Sequence, residues 1–522
     1  STAEAARIFD HLESEFGRDH VFKDVDSIPF GVDFAKCLDQ AVSQCQVMLV
    51  IIGKTWLTVT EADGTRRLDN PNDFVRIEVE SALRQGIPVI PVLIQGAGMP
   101  RRTQLPESLQ PLARRNGIEV GNDPRFRADM NRLVKGLKGT LEEAAARIAI
   151  VVSREENGAY RTITEAIQAA HSGARIHIKP GHYVEDIVID KHLELIGKGD
   201  AKDIVIESRK SHCIKIDTDF AVVRGLTLEN NSKKAYTVYI KQGRITLEQC
   251  NIASSSEESC VFVSGEDSYL ILQKCKIHRS RKHGVHFDNK SKGELENCEI
   301  YGAGESGILI ENGSAPIIHK CKVHDCGFCS ISITESSKPK ITACELFMNR
   351  CAGILVMERS IPVVKETKAY KNGMSGIVFD SLSQGSIEDC DFYENKQCGI
   401  GILNLSSPNV TKSRMHHNER NGLYFSSNAK GEVTDCEIYQ NVMPGVFITE
   451  SSSPTIQNSK IYDHRGNGLS INGGNSKFLN CRIFRCGLGD IPGVFIGDSS
   501  KTILQGCEIF EIKGTGVCIR DS

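Results

Sequence analysis

The sequence predicts a two-part chain, in which a parallel α/β domain precedes a long parallel β-helix solenoid. The solenoid is indicated by a repeat, because Cys275, Cys298, Cys321 and Cys344 follow one another at intervals of 23 residues. Glycines that open short apolar strands, such as Gly399, keep the same interval, and a fixed period of this length is typical of solenoids. The α/β domain is indicated by apolar strands that alternate with amphipathic helices before the repeat begins.

Each repeat consists of strands and turns. Cys436-Glu-Ile-Tyr and Gly445-Val-Phe-Ile alternate inward and outward residues with a period of two, and the turn-rich run Glu450-Ser-Ser-Ser-Pro follows them. The pattern of a leucine-rich repeat is absent, so one repeat is one coil, about 4.8 Å from the next coil. Residues 151–522 resemble the right-handed parallel β-helix proteins of the pectin-lyase-like type.

Two sets of like residues recur at equal phase and are expected to stack from coil to coil. The first set predicts an asparagine ladder, since an amide can bond both its neighbour and the turn backbone. The second set is aromatic and is expected to stack on itself, with a platform for sugar rings as the alternative. The asparagines are Asn349, Asn372, Asn395, Asn418 and Asn441, and the rings are His278, Tyr301, His324, Phe347, Tyr370, Tyr393, His416, Tyr439, Tyr462, Phe484 and Phe510.

Composition excludes several classes of protein. The 522 residues carry a net charge of −3 without a basic block, which argues against nucleic acid, and no apolar run is long enough to span a membrane. Most of the 19 cysteines lie at the inward phase, so we expect reduced thiols and a cytoplasmic protein. Cys326 and Cys329 come closest to a metal-binding pair but lack a second pair, so neither a metal nor a cofactor is predicted.

The predicted domains are residues 1–138, a helical connector at 139–150 and the β-helix at 151–522, with a capping helix near 160–171. In the first domain, strands and helices alternate, which predicts a doubly wound, flavodoxin-like parallel sheet with ligands at the carboxyl ends of its strands. Its predicted elements are a helix at 3–16, a strand at 20–26, a helix at 34–45, a strand at 47–52, a helix at 73–85 and a strand at 88–94.

Four blocks of the first domain together resemble bacterial-type TIR domains. The first strand of that family, of the form Phe-Ile-Ser-Tyr-Arg-Arg-x-Asp, is missing, since the chain opens at what would be the first helix. The blocks are Val21-Phe-Lys-Asp-Val-Asp-Ser-Ile-Pro-Phe-Gly, Leu49-Val-Ile-Ile-Gly-Lys-Thr-Trp-Leu, Arg67-Leu-Asp-Asn-Pro-Asn-Asp-Phe-Val-Arg-Ile-Glu and Ile87-Pro-Val-Ile-Pro-Val-Leu.

The TIR resemblance implies an NAD+ hydrolase with NAD+ as substrate and Glu78 as the catalytic carboxylate. An anion beside the bond between nicotinamide and ribose stabilises the oxocarbenium-like sugar. Phe74 lies four residues before Glu78 on the same helix face and is expected to bind substrate, as are Trp56, Asp24 and Asp26. All five could instead be surface, core or strand-end residues.

The same resemblance implies an effector in immune or anti-phage defence that assembles through its TIR domains. The last coil, which ends at Ile519, is expected to make an end-on contact, and the β-helix is expected to sense a protein or glycan ligand. The main alternative is a non-catalytic TIR signalling scaffold with a β-helix binding module. A polysaccharide-active β-helix enzyme is a further alternative, although Glu388, Asp389 and Asp391 form only a local acidic spot.

Overall fold

A computed structural model describes residues 2–17, 20–22, 45–61, 64–70, 73–84, 87–148, 150–157, 159–497 and 500–520. The chain divides into two compact units, Ser1–Ala149 and Ile150–Ser522. Within the described residues, none of the helices combines the length and the apolar character that crossing a membrane would require.

The first unit contains a three-stranded parallel sheet in the order β1-β2-β3. Strand β2 is central, and Met48 pairs with Val89 while Val92 pairs with Ile118. The predicted strands at 47–52 and 88–94 are thus present. The strands are β1 (Met48–Ile52), β2 (Val89–Ile94) and β3 (Ile118–Val120), the α-helices are α1 (Thr2–Phe16), α2 (Phe74–Arg84) and α3 (Phe126–Ile148), and short 3-10 helices lie at Arg67–Asp69, Arg102–Gln104 and Glu107–Arg114.

Helices cover both faces of this sheet. Val50 and Ile52 pack with Val79 of α2 and with Leu109, whereas Val92 and its neighbours pack on the other face against α1 and α3. A parallel sheet that is buried on both faces needs apolar strands, which β1 and β2 provide. Helix α3 continues without interruption through residues 139–148, where the connector was predicted. The predicted helix at 34–45 and most of the strand at 20–26 lie outside the described residues.

The second unit is a parallel β-helix in which each coil contributes one strand to each of three sheets. Every strand pairs in parallel with the strand one coil before it and one coil after it; Ile354, for example, pairs with Ile377, which pairs with Ile400. Turns of positive φ separate the strands. We call the sheets first, second and third, in the order in which one coil visits them.

The strands of the second unit have the following bounds. The first sheet contains Ile150–Val152, Ala174–Ile178, Leu193–Gly197, Phe220–Arg224, Gly243–Glu248, Ser268–Gln273, Lys292–Glu296, Ile317–His319, Lys340–Thr342, Val363–Lys365, Ser386–Glu388, Asn409–Thr411, Glu432–Thr434, Thr455–Gln457, Lys477–Leu479 and Ile503–Gln505. The second sheet contains Gly181–Val184, Ile204–Ser208, Thr227–Asn230, Asn251–Ser254, Lys276–His278, Glu299–Tyr301, Lys322–His324, Glu345–Phe347, Lys368–Tyr370, Asp391–Tyr393, Arg414–His416, Glu437–Tyr439, Lys460–Tyr462, Arg482–Phe484 and Glu508–Phe510. The third sheet contains Ile187–Ile189, Ile214–Ile216, Val238–Ile240, Val261–Ser264, Val285–Asp288, Ile308–Ile310, Ile331–Ile333, Ile354–Val356, Ile377–Phe379, Ile400–Ile402, Leu423–Phe425, Val446–Thr449, Leu469–Asn472, Val494–Gly497 and Val517–Ile519.

The inside of the β-helix is a continuous apolar core of inward residues from all three sheets. The glycine that opens each third-sheet strand is required by close packing with the next coil. A Cβ at Gly376 would lie 2.7 Å from the oxygen of Gly399 and 2.7 Å from Cδ1 of Phe392. The thiol of Cys298 donates to the carbonyl of Leu272 at 3.4 Å, which satisfies a buried donor inside the core.

The predicted asparagine ladder is confirmed. The amide nitrogen of Asn372 donates to the side-chain oxygen of Asn395 at 3.0 Å, and the backbone N–H of Asn372 donates to the same oxygen at 3.1 Å. This pattern holds from Asn349 to Asn441, where His464 ends it by accepting the backbone N–H of Asn441 at 3.2 Å. A second ladder, which the sequence analysis missed, is formed by buried turn serines: Ser291, Ser314, Ser337, Ser360, Ser383, Ser406 and Ser452.

The aromatic stack is confirmed as well. All neighbouring rings from His278 to Phe510 are nearly parallel, with centroids 4.6 to 5.4 Å apart. The ring faces therefore cover one another and only the ring edges face outward. A sugar ring stacks on an exposed aromatic face, so the middle of this stack is no platform for sugar.

A short helix, α4 (Ile163–Ala169), lies within the predicted capping region. Its N-terminus is capped by the Thr162 hydroxyl, which accepts the backbone N–H of Glu165 at 3.2 Å. Ile163 and Ile167 are buried in the same core as the first coils. The helix thus covers the apolar end of the coil stack.

We predict that His464→Asn makes the protein less sensitive to acid. Burial lowers the pKa of His464 to about 4, so the folded state holds a neutral ring. The unfolded chain takes up a proton near pH 6.5, so stability is complete above that pH and falls between pH 6.5 and 4 by up to about 1.4 kcal/mol per pH unit. Denaturant unfolding at pH 7.5 and 4.5 should show a smaller loss for the variant than for the wild type. The exposed His171→Asn is the control, and an equal loss in all three proteins would contradict the prediction.

Asn395→Ala is expected to destabilise the second unit by about 2 to 4 kcal/mol, because it leaves buried groups without partners. These groups are the backbone N–H of Asn372 and the carbonyl of Ala369. The exposed Asn475→Ala should change the free energy of unfolding by less than about 0.5 kcal/mol. Thermal and denaturant unfolding of the two variants measure the difference, and equal effects would argue against a stabilising ladder.

Candidate functional site

The structure describes three of the five residues predicted to bind or cleave NAD+. Glu78 lies on α2 and is half-buried, Phe74 at the start of α2 is 47% exposed, and Trp56 packs against the core cluster of β1 and α2. Asp24 and Asp26 lie outside the described residues. The roles of all five remain sequence predictions.

The acidic spot predicted at 388–391 is split between two sheets. Glu388 ends a first-sheet strand and pairs with Lys365 at 2.5 Å, whereas Asp391 begins a second-sheet strand and pairs with Arg414 at 2.7 Å. Both carboxylates are therefore neutralised by neighbouring coils. This spot does not form an acid–base site.

The outer face of the second sheet is neutralised throughout by a ladder of alternating charges. Asp391 and Arg414 form one pair of this ladder, and Lys460 pairs with Glu437 at 2.9 Å. Exposed pairs of this kind add little stability, but they leave no net charge for a charged ligand. The ladder residues are Lys276, Glu299, Lys322, Glu345, Lys368, Asp391, Arg414, Glu437, Lys460, Arg482 and Glu508.

The third sheet carries a different outer face in its early coils, which we call the imidazole cluster: Tyr236, Tyr239, Phe262, His283 and His286. Tyr239, Phe262 and His286 are in register on successive strands. The rings of Tyr236 and Phe262 stack at 4.5 Å, and those of His283 and His286 meet edge to face at 5.6 Å. Parallel pairing thus gathers five rings from four neighbouring coils.

Carboxylates from the following coil hold both imidazoles. His286 Nε2 lies 2.8 Å from a carboxylate oxygen of Glu311, and His283 Nε2 lies 3.0 Å from Glu305. Nδ1 of each ring is buried and has no hydrogen-bond partner among the described residues. Burial, aided by the charges of His286 and Lys282, lowers the pKa of His283 to about 3, which keeps this ring neutral.

Asp288 and Glu311 place two carboxylates side by side at the edge of the imidazole cluster. Phe287 pairs with Ile310, so the two acids that follow them are one coil apart, about 4.8 Å along the axis. Asp288 accepts the side-chain amide of Asn312 at 2.8 Å, whereas Glu311 is 25% exposed and bonded to His286. Burial, with the nearby charge of Glu258, raises the pKa of Tyr236 to about 12, so this phenol stays protonated. The arrangement offers an exposed carboxylate, a second acid and phenol groups for acid–base chemistry.

A shallow groove of about 680 Å³ runs along the turns between the second and third sheets, a few coils further along the chain. We call it the turn groove. Arg350 and Lys396 are exposed and make no ion pair with any described residue, while Lys371 lies 3.6 Å from Glu394. Gly327 and Gly373 occupy the alternate coils and leave space between the cations. The groove is lined by Asp325, Cys326, Gly327, Met348, Asn349, Arg350, Lys371, Gly373 and Lys396.

The family comparison matches the second unit. The model described as "Right handed beta helix region" matches residues 259–413 and 383–522, which together cover half of the sequence. The chain belongs to the right-handed β-helix family. This match confirms the predicted solenoid of about 23 residues per coil.

The right-handed β-helix chain is also similar to individual proteins. Pectinesterase 2 of Citrus sinensis is 26% identical over 233 residues, which cover 35% of this chain and 45% of the pectinesterase. The chain thus spans less than half of that curated relative's length. Among solved structures, the periplasmic alginate epimerase AlgG matches with 14% identity and a TM-score of 0.44 over 67% of this chain and 88% of the epimerase. Pectin methylesterase PemA of Erwinia chrysanthemi matches with 15% identity and a TM-score of 0.30 over 45% and 80% of the two chains. Both structural likenesses are too distant to indicate an activity.

The predicted TIR resemblance of residues 1–138 is wrong, because the matching family is the β-helix and no TIR family accompanies it. The four blocks consist largely of buried strands and one amphipathic helix, which any parallel α/β domain needs. Such blocks discriminate poorly between families. The flavodoxin-like TIR fold is therefore unsupported, although a parallel sheet with helices on both faces is present.

The predicted NAD+ hydrolase function is wrong for the same reason, because the relatives are carbohydrate-modifying enzymes. The inferred role in immune defence loses its support with it. The sequence analysis treated the histidines as scattered and missed the imidazole cluster. A phase count that allowed coils of 24 residues would have aligned Tyr239, Phe262 and His286.

Proposed function

We propose that the β-helix unit is polysaccharide-active, that it binds an acidic polysaccharide in the turn groove, and that it modifies the polymer at Glu311. The observation that carries the proposal is the turn groove, where Arg350 and Lys396 face solvent without an ion-pair partner among the described residues. The similarity to a pectinesterase supports a polysaccharide as the ligand.

The spacing of the cations fits a linear polymer better than a small molecule. Arg350 and Lys396 are two coils apart, so about 9.6 Å separates their turns along the axis. A polymer that carries a carboxylate on each sugar can meet both cations in one extended conformation. The paired charges of the second sheet offer no such attraction, because each cation there already has its acid.

The groove also leads toward the proposed reaction site. Gly327, at one end of the groove, is two coils beyond Arg281, and Arg281 is two residues from His283. A chain laid along the turns therefore passes the edge of the imidazole cluster. No structural feature of the described residues blocks this path, since Phe328 and Glu305 on the intervening coils are largely exposed.

At that edge Glu311 has the features of an acid–base carboxylate. One of its oxygens is held by His286 Nε2, which fixes the side chain, while a quarter of the side chain remains exposed to a ligand. An oriented carboxylate can accept or return a proton at the sugar that reaches it. Asp288 on the preceding coil supplies the second acid. The groups needed are all protein side chains, and no cofactor is part of the proposal.

Reversing the groove charges tests the binding step. The double variant Arg350→Glu, Lys396→Glu should lower the affinity for polygalacturonate by roughly 10- to 30-fold, since each exposed ionic contact contributes up to about 1 kcal/mol. The matched control, Arg359→Glu with Lys430→Glu, reverses two exposed charges on the turns between the third and first sheets and should bind as the wild type does. Titration calorimetry at low and moderate salt measures both. Equal affinities of the two double variants would exclude the turn groove as the binding site.

Replacing the carboxylate tests the chemical step. Glu311→Gln should reduce turnover of polygalacturonate and its methyl ester by about 100-fold or more, while affinity changes little, because the amide cannot accept a proton. Product analysis by methanol release, by chain cleavage and by sugar configuration identifies the reaction. The exposed Glu432→Gln is the control. A wild-type protein that binds these polymers but changes none of them would refute the catalytic step and leave a binding module.

The end-on contact through the last coil and a protein ligand of the β-helix remain predictions. Cytoplasmic location also remains a proposal, and it fits the cysteines: the 18 cysteines of the described residues are all unpaired. Burial raises the pKa of inward thiols such as Cys213 and Cys260, which makes them slow to react.

A further inference from the structure

Three sulfur atoms meet on the outer side of the third sheet, at the edge of the turn groove. The thiol sulfur of Cys351 lies 3.3 Å from the thioether sulfur of Met374 on the next coil. On the coil before it, the thiol of Cys329 is hydrogen-bonded to Cys351. These sulfurs come from the coils that carry Arg350 and Gly373 of the groove.

The environment of these sulfurs differs from that of the other cysteines. Inward thiols such as Cys298 and Cys321 donate to backbone carbonyls inside the core. Cys329 and Cys351 instead belong to a small separate apolar cluster outside the core, with Ala352, Val378 and partly buried leucines. A thioether beside two thiols, within apolar walls, has no structural requirement in the coil, since neighbouring coils carry serine, alanine or glutamine at these phases.

The two thiols are already arranged to share a proton. The hydrogen bond from Cys329 lowers the pKa of Cys351 to about 7, and the same interaction raises the pKa of Cys329. A thiolate is therefore present at neutral pH, and the thiolate is the form that binds metals. The backbone hydrogen bond at Ala352 further favours the anion at Cys351.

We propose that Cys329, Cys351 and Met374 bind one soft monovalent cation of the copper(I) class. Thiolate and thioether ligands select such ions over Zn²⁺, Mg²⁺ and Ca²⁺, which prefer four ligands or oxygen donors. The described residues contain no group of three or more His, Cys, Asp or Glu that could hold a metal ion. Met374 is the ligand that turns a cysteine pair into a three-sulfur site.

The geometry allows this with small movements. With metal–sulfur bonds of about 2.3 Å, as for thiolate on zinc, three sulfurs around one ion lie about 4 Å apart. Cys351 and Met374 are 3.3 Å apart, so the gap has to widen by well under 1 Å. Met374 is 37% exposed and unbranched, so it can move outward and admit the ion. Binding releases the thiol protons to water, and the exposed Arg350 beside the site offsets the negative charge of two thiolates.

The test is a titration of the reduced, full-length protein without oxygen, using Cu(I) in competition with a chromogenic chelator, and Ag(I) as a second probe. We expect one tightly bound ion per chain. Cys351→Ser removes a ligand and should weaken binding by more than the roughly 10- to 100-fold that loss of an outer partner costs. Met374→Leu should weaken binding less, and X-ray absorption should show three sulfur neighbours in the wild type and two in this variant.

Cys398→Ser is the matched control, because Cys398 lies at the phase of Cys329 three coils further along and is buried. Its affinity should equal that of the wild type, and thermal unfolding checks that each variant is folded. The proposal is overturned if Cys351→Ser keeps the wild-type stoichiometry and affinity. It is also overturned if Cys329 and Cys351 are isolated as a disulfide that Cu(I) does not open.

Discussion

The second unit depends on one constraint, which is that every coil pairs in parallel register with the coil before it. Parallel backbone pairing fixes residues of equal phase directly over one another. Ile354, Ile377 and Ile400 therefore share one inward line, and a polar residue at that phase would have to find its partner within the stack. The sequence answers this requirement by repeating residue types that can bond to themselves.

Each ladder solves the same problem with different chemistry. Asparagines donate and accept along the stack, serine hydroxyls accept turn amides, as Ser406 does from Ser383, and thiols donate to carbonyls of the core. A ladder has an end, and His464 shows how an end is made. Its Nδ1 accepts from Asn441 while its Nε2 bonds the carbonyl of Ile438, so the ring replaces an amide without leaving a buried group unpaired.

Periodicity alone predicted the solenoid, its ladders and its aromatic stack, because these follow from residues of equal phase. The imidazole cluster could not be found in this way, since coils of 24 residues shift the phase between Tyr239 and His286. The first unit shows a different limit. Alternation of strands and helices predicted the parallel sheet of β1 and β2, but it carried no information that separates one α/β family from another, and the TIR assignment failed.

Residues that break the self-matching pattern are the ones to which function can be assigned. On the second sheet, outward charges alternate in sign and neutralise one another, so that surface has no remaining affinity for a charged ligand. Arg350 and Lys396 lack such partners among the described residues, and glycines instead of acids lie on the coils between them. Stability does not require an unpaired cation at a glycine turn, because the backbone pairing of those coils is complete without it. A coil stack can therefore keep its ladders unchanged while single outward positions acquire a ligand, and this separation explains why the turn groove and the sulfur cluster lie outside the core.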